Sequence, residues 1–234
     1  MSASAAPDPG RADVERIAVW DWPVRAVHWA LVLLLIGLLV TGLVGGGWLE
    51  WHMRFGQVLL AVVAFRVLWG FAGSRNARFR TFVRRPGAVV SYARSRIART
   101  PEIHVSHNPA GGWMAVALLL ALAVQAGTGL FSNDGELWEG PLAQRVTQDW
   151  SDALAWFHRR FWWIVVTLAA VHVAAVLAYL VVLRENLIVA MIRGTRTLPT
   201  GLARPEDASA STARAFALLA LTLVAVFGLL SLAY

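Results

Sequence analysis

The chain has 234 residues, of which 58% are hydrophobic and 15% charged, a balance outside ordinary soluble usage. It contains no cysteine, which excludes disulfides, thiolate metal sites, iron–sulfur ligation and covalent c-type haem attachment. Its formal charge of +7 is carried by arginine alone, and those arginines cluster in a way that membrane topology explains without nucleic-acid binding.

Residues 1–18 carry Asp8, Arg11, Asp13, Glu15 and Arg16 with little to bury, so they read as a disordered tail. A helix crossing a hydrocarbon core of about 30 Å needs roughly 20 apolar residues. Five stretches meet that length, at 28–48, 53–73, 112–131, 159–183 and 213–233. The first follows Trp20-Asp21-Trp22-Pro23 and closes at Gly45-Gly46-Gly47, whose short turn leads to the second at His52. The segment between the second and third holds Arg75, Arg78, Arg80, Arg84, Arg85, Arg94, Arg96 and Arg99 against a single acid, Glu102. The third stretch follows His107-Asn108-Pro109-Ala110-Gly111-Gly112. The segment after it carries Asp134, Glu136, Glu139, Asp149 and Asp152, and residues 132–157 read as holding a short helix on the membrane surface. The positive-inside rule puts the arginine segment and the N-terminus in the cytoplasm and the C-terminus outside. The fifth span has no histidine and no charge after Arg214, as suits a lipid-facing or partner-facing helix.

Ionisable residues inside a membrane are costly, and function is their default explanation. His28 and His52 open the first and second helices from opposite sides, while His158 and His172 share the fourth. Their fourteen-residue spacing is close to four helical turns, so both rings face the same way about 21 Å apart. Depth pairs His52 with His158 on the outer side and His28 with His172 on the inner side. Two neutral imidazoles on facing helices can hold a six-coordinate, electron-transferring haem. The same spacing leads from His28 to Gly42 and from His52 to Arg66. Gly42 would clear space at the outer haem, and Arg66, a cation in need of an anion, would meet a propionate of the inner one. Gly56 and Gly70, each one turn from these positions, serve either haem clearance or helix packing. Asn108 beside Gly111 is also an ordinary helix N-cap.

At these residues the chain resembles the bacterial cytochrome b561 family, which includes cytochrome b subunits of nickel–iron hydrogenase and formate dehydrogenase. The matching pieces are VWDWPVRAVHW around His28, HMRFGQ at His52 and FRVLWGFAGSRNARF through Arg66. HNPAGGWM, QAGTGLF and the paired His158 and His172 continue the match. The resemblance implies an all-α integral membrane protein, a four-helix bundle with two bis-histidine haems b, plus a fifth transmembrane helix found in some members. The expected organisation is a tail over 1–18, the di-haem domain over 19–192, a cytoplasmic linker over 193–212 and the last helix over 213–234. The resemblance also implies a quinone near the inner haem, its loop falling on His107, Asn108 and Gly111. The expected role is electron transfer in the bacterial inner membrane between a periplasmic partner (a c-type cytochrome, or a dehydrogenase or hydrogenase subunit) and the quinone pool. A second role is a free-standing superoxide:quinone oxidoreductase, for which Arg54, Arg159 and Arg160 would attract the anion. A third is a haem-free membrane anchor or transporter. An oligomer is compatible with any of them.

Overall fold

The computed structural model describes residues 14–98, 103–201 and 208–232. Residues 1–13 of the expected tail, Arg99, Glu102 and Tyr234 lie outside these ranges. The tail's last five residues, contrary to expectation, form strand β1 (Val14–Ala18).

Helix α1 (Trp22–Val44) begins where Asp21 Oδ1 accepts the Val24 N–H at 2.8 Å, with Pro23 in its first turn. It ends where Gly45 and Gly46 take φ of 68° and 58°, a conformation glycine adopts without steric cost. Helix α2 (Trp48–Ala72) runs back and stops at Gly73. A short helix α3 (Phe79–Phe82) and an amphipathic helix α4 (Pro86–Ile97) fill the arginine segment. Helix α5 (Pro109–Gly129) crosses again. Helix α6 (Gln148–Val181) extends for 34 residues. The surface helix expected within 132–157 is therefore absent as a separate element. Residues 130–147 hold a bridge between Asn133 and Glu139 and a 3-10 turn, and 148–157 are the first turns of α6.

Helix α7 (Leu187–Arg193) precedes strand β2 (Thr195–Pro199), and helix α8 (Thr212–Ser231) is the last. β1 and β2 pair antiparallel with Val14 opposite Pro199 and Ala18 opposite Thr195, so the linker folds under the start of α1. Gly194, at φ 76°, gives its carbonyl to the Val19 N–H at 2.7 Å and tightens that junction.

Among the described residues, five helices (α1, α2, α5, α6 and α8) are long and apolar enough to cross a membrane. They are apolar on all sides, and Leu33, Leu43, Phe71, Leu120 and Leu229 are exposed, as lipid contact requires. Close backbone packing runs from α1 to α2 to α5 to α6, with α8 against α2. One buried cluster joins Trp20, Val24, Phe65, Trp69 and Ala190 at the α4 end of the bundle. The other, Leu59, Val63, Ala121, Leu122 and Val165, fills the middle.

Candidate functional site

The four histidines meet in two pairs across the bundle. The ring centroids of His52 (α2) and His158 (α6) are 6.1 Å apart. Those of His28 (α1) and His172 (α6) are 6.4 Å apart. A metal–imidazole bond is about 2 Å and the nitrogen lies about 1 Å from its ring centre, so an ion between two rings needs centroids roughly 6 Å apart. Both pairs meet that spacing. The pairing by depth read from the sequence is the pairing the fold makes.

His52 and His158 are held by the same device used twice. His52 Nδ1 lies 3.0 Å from the Leu38 carbonyl and 3.3 Å from Thr41 Oγ1. His158 Nδ1 lies 2.9 Å from the Gln125 carbonyl and 3.3 Å from Thr128 Oγ1. Each threonine hydroxyl bonds back to its own helix, to Gly37 at 2.7 Å and to Val124 at 2.9 Å, which leaves its lone pairs toward the ring. A carbonyl can only accept, so each Nδ1 carries the proton and each Nε2 keeps the lone pair that binds a metal. The Gln125 amide nitrogen, 3.4 Å from His158 Nε2, agrees with that tautomer. The residue after each threonine is glycine. A Cβ on Gly42 would come 2.9 Å from His52 Cε1, and one on Gly129 would come 2.9 Å from His158 Cε1. A cavity of about 500 Å³ is lined by Gly42, His52, Gly56, Gln125, Gly129 and His158, within the range of cofactor sites. Thr41, Thr128 and Gly129 have no role assigned from the sequence. The repeated Thr-Gly-Leu, at 41–43 and 128–130, is the signal that marks them.

The His28–His172 pair is built differently. His28 Nδ1 is enclosed without a hydrogen-bond partner among the described residues, and its ring meets Trp29 edge-on at 5.0 Å. Arg66 is only 6% exposed, its Nη1 has no hydrogen-bond partner among the described residues, the Asp21 carboxylate is near enough to act on its charge, and its guanidinium lies 5.4 Å from the Phe79 ring centre. A buried cation in that state fits an anionic group such as a haem propionate. At Gly70 a Cβ would come 2.1 Å from Phe79 Cε2, so the glycine seats that ring, in line with the packing alternative. Asp21 joins this end together, accepting Val24 N–H with one oxygen and Trp69 Nε1–H at 2.9 Å with the other.

Of the three residues expected at a quinone loop, Asn108 and Gly111 stay bonded to each other while His107 packs elsewhere. His107 packs on Trp20 at 4.7 Å and Phe82 at 4.5 Å, with Nδ1 enclosed and unpartnered. Enclosure, with the charge of Arg66 nearby, pushes His107 down to about 3 and keeps it neutral. Asn108 caps α5, its Oδ1 accepting the Gly111 N–H at 2.7 Å. Its Nδ2 donates to the Tyr179 hydroxyl at 2.7 Å. At the opposite end the three arginines are locally engaged. Arg54 pairs with Glu50 at 2.5 Å, Arg159 donates to the Asn133 carbonyl at 3.1 Å, and Arg160 stacks over Trp156.

Residues 19–194 match the family model described as prokaryotic cytochrome b561. Among curated proteins, one from Bradyrhizobium diazoefficiens is 28% identical over 84% of this chain and 93% of its own length. One from Rhizobium leguminosarum bv. viciae is 25% identical over 82% of this chain and 94% of its own. One from Azotobacter vinelandii is 27% identical over 77% and 88%. All three bear the name "Probable Ni/Fe-hydrogenase B-type cytochrome subunit". No solved structure gives a significant match.

Proposed function

The chain belongs to the prokaryotic cytochrome b561 family, and from that premise we propose that it is a di-haem electron-transfer subunit linking a hydrogenase-type partner to membrane quinone. It is a multi-pass membrane protein of a b-type cytochrome family. The observation that carries the finer proposal is the pair of histidine couples, with centroids 6.1 Å and 6.4 Å apart on facing helices. A haem b between each couple would supply one-electron iron chemistry.

The protein's own groups do the rest. His52 and His158 offer Nε2 because the Leu38 and Gln125 carbonyls hold the Nδ1 protons. That donation raises the basicity of the ligand nitrogen and favours the oxidised state of what it holds. At the other couple the buried Arg66 charge favours the reduced state. With haems bound, both effects would favour electron passage from the His52 end to the His28 end. Val165, buried and seven residues from both His158 and His172, fills the space along α6 between the couples.

The arginines of α3, α4 and their flanks orient the His28 end toward the cytoplasm and residues 130–147 toward the periplasm. The hydrogenase-type partner follows from the names of the relatives, and it would dock on the periplasmic side. Glu50 offsets the charge of Arg54, while Arg159 and Arg160 keep theirs on neutral partners, so the preference for a docked donor rests on the names of the relatives. The test is kinetic. A nickel–iron hydrogenase of the same organism, under hydrogen, should reduce the purified protein, and a quinone should reoxidise it. Failure of the hydrogenase to reduce a spectrally intact protein would exclude this partner.

A further inference from the structure

Tyr179 lies seven residues beyond His172 in α6, two turns along the same face and about 10 Å further toward the α4 end. Its phenol oxygen receives the Asn108 Nδ2–H at 2.7 Å and shares a hydrogen bond with the Tyr92 phenol. The Tyr92 oxygen in turn receives Arg96 Nε–H at 3.0 Å. The Arg96 guanidinium lies 5.2 Å and 5.5 Å from the ring centres of Tyr92 and Tyr179. Three elements (α4, the α5 N-terminus and α6) thus bring four donors together.

Arg96 and Asn108 give one N–H each, and the two phenols have two O–H groups. One O–H is used between the phenols. The other donates to no side chain in the described hydrogen bonds: Asn108 Oδ1 accepts from Gly111, and the Glu185 carboxylate accepts from Arg196 at 3.0 Å. The cluster is half-buried at the end of the spans, where a lipid-soluble head group can reach it. A surplus neutral donor beside a fixed cation suits an acceptor oxygen. A quinone carbonyl and a haem propionate both offer one, and the buried Arg66, whose Nη1 has no hydrogen-bond partner among the described residues, answers to the propionate.

We propose that Tyr179, supported by Tyr92, Asn108 and Arg96, hydrogen-bonds a quinone oxygen two turns from His172 and passes it a proton. This rests on the quinone part of the function proposed above. Reduction of the quinone to quinol takes two electrons, arriving from the His28–His172 side, and two protons. Tyr179 gives one proton to the oxygen it holds and regains one from Tyr92, which is resupplied by water at the α4 surface. The second proton reaches the other oxygen from water.

The test uses the full chain in detergent, reduced with dithionite under anaerobic conditions, freed of excess reductant and mixed with a short-chain ubiquinone or menaquinone in a stopped-flow instrument. Tyr179→Phe should slow haem oxidation by at least about tenfold, with haem content, spectra and midpoint potentials unchanged. Tyr92→Phe should keep quinone affinity and alter the pH profile of the rate. Wild-type kinetics in Tyr179→Phe would overturn the proposal. So would a shifted potential at the His28–His172 haem with an unchanged quinone rate, which would give the cluster to a propionate. If neither quinone oxidises the wild type, the quinone reading itself fails. Should Tyr179→Phe not fold, Arg96→Gln serves, with a raised quinone KM expected and an unaltered one contradicting the assignment.

Discussion

Replacing Gly129 by alanine perturbs one histidine through one added methyl. Its Cβ would stand 2.9 Å from His158 Cε1 and 3.2 Å from Nδ1, whereas ordinary contact begins near 3.4 Å. The ring must therefore retreat by about half an ångström, since helices packed at interior density give little. That motion stretches the 2.9 Å bond from Nδ1 to the Gln125 carbonyl toward the limit of useful geometry. Overpacking costs about 1–3 kcal/mol, and a weakened hydrogen bond about 0.5–1.5 kcal/mol. A loss of about 2–4 kcal/mol lowers haem affinity at that couple by roughly 30-fold to 1,000-fold. The assay is haem per chain by pyridine haemochrome, measured on protein purified at limiting haem. Occupancy should fall from two toward one, with the survivor spectrally that of the His28–His172 couple. Gly42→Ala should act in the same way through His52, because its Cβ meets Cε1 at 2.9 Å. Gly127→Ala, whose Cβ meets nothing within 4 Å, is the control and should keep both haems. Full occupancy and an unchanged spectrum in Gly129→Ala would refute the reasoning.

Thr128→Val removes the second acceptor of His158 Nδ1–H; at about 0.5–1 kcal/mol the midpoint potential of that haem should rise by roughly 20–40 mV, read by spectroelectrochemical titration. Arg66→Gln should lower the potential of the other haem by on the order of 60 mV, one tenfold step for a one-electron couple, and an unmoved potential would remove Arg66 from that site. Asp21→Ala takes away both the cap of α1 and the Trp69 bond. A loss of about 2 kcal/mol is expected, seen as a lower midpoint in thermal unfolding in detergent, whereas Asp21→Asn should recover most of the cap.

The histidine pairing was legible because helix geometry turns a fourteen-residue spacing into a shared face and a depth, with no need to know the neighbouring helices. The five spans were legible for a similar reason, since length and apolarity are properties of each segment alone. What escaped depends on contacts distant in sequence. β1 exists because residues 195–199 return to pair with it. Gly70 has the register of a haem-facing glycine, yet the chain turns at Gly73 and folds Phe79 onto it. The surface helix expected within 132–157 gives way to an early start of α6 at Gln148, which takes in Trp150 and Trp156. Neither glycine nor proline interrupts residues 142–193, so the helix continues through them. Helix α4 was hidden by its arginines, which draw attention to topology, although Pro86 opens it in the way a first-turn proline does. The quinone loop came from family likeness rather than from geometry, and the fold keeps Asn108 with Gly111 and Tyr179 but turns His107 toward Trp20 and Phe82.

The central claim is that each histidine couple holds its own haem b. Its most direct measurement is haem stoichiometry with a reduced-minus-oxidised spectrum, taken on the purified wild type, His158→Ala and His172→Ala. Two b haems per chain are expected in the wild type and one in each variant, the two survivors differing in midpoint potential. A wild type with a single haem, or a folded His172→Ala that keeps two, would contradict it.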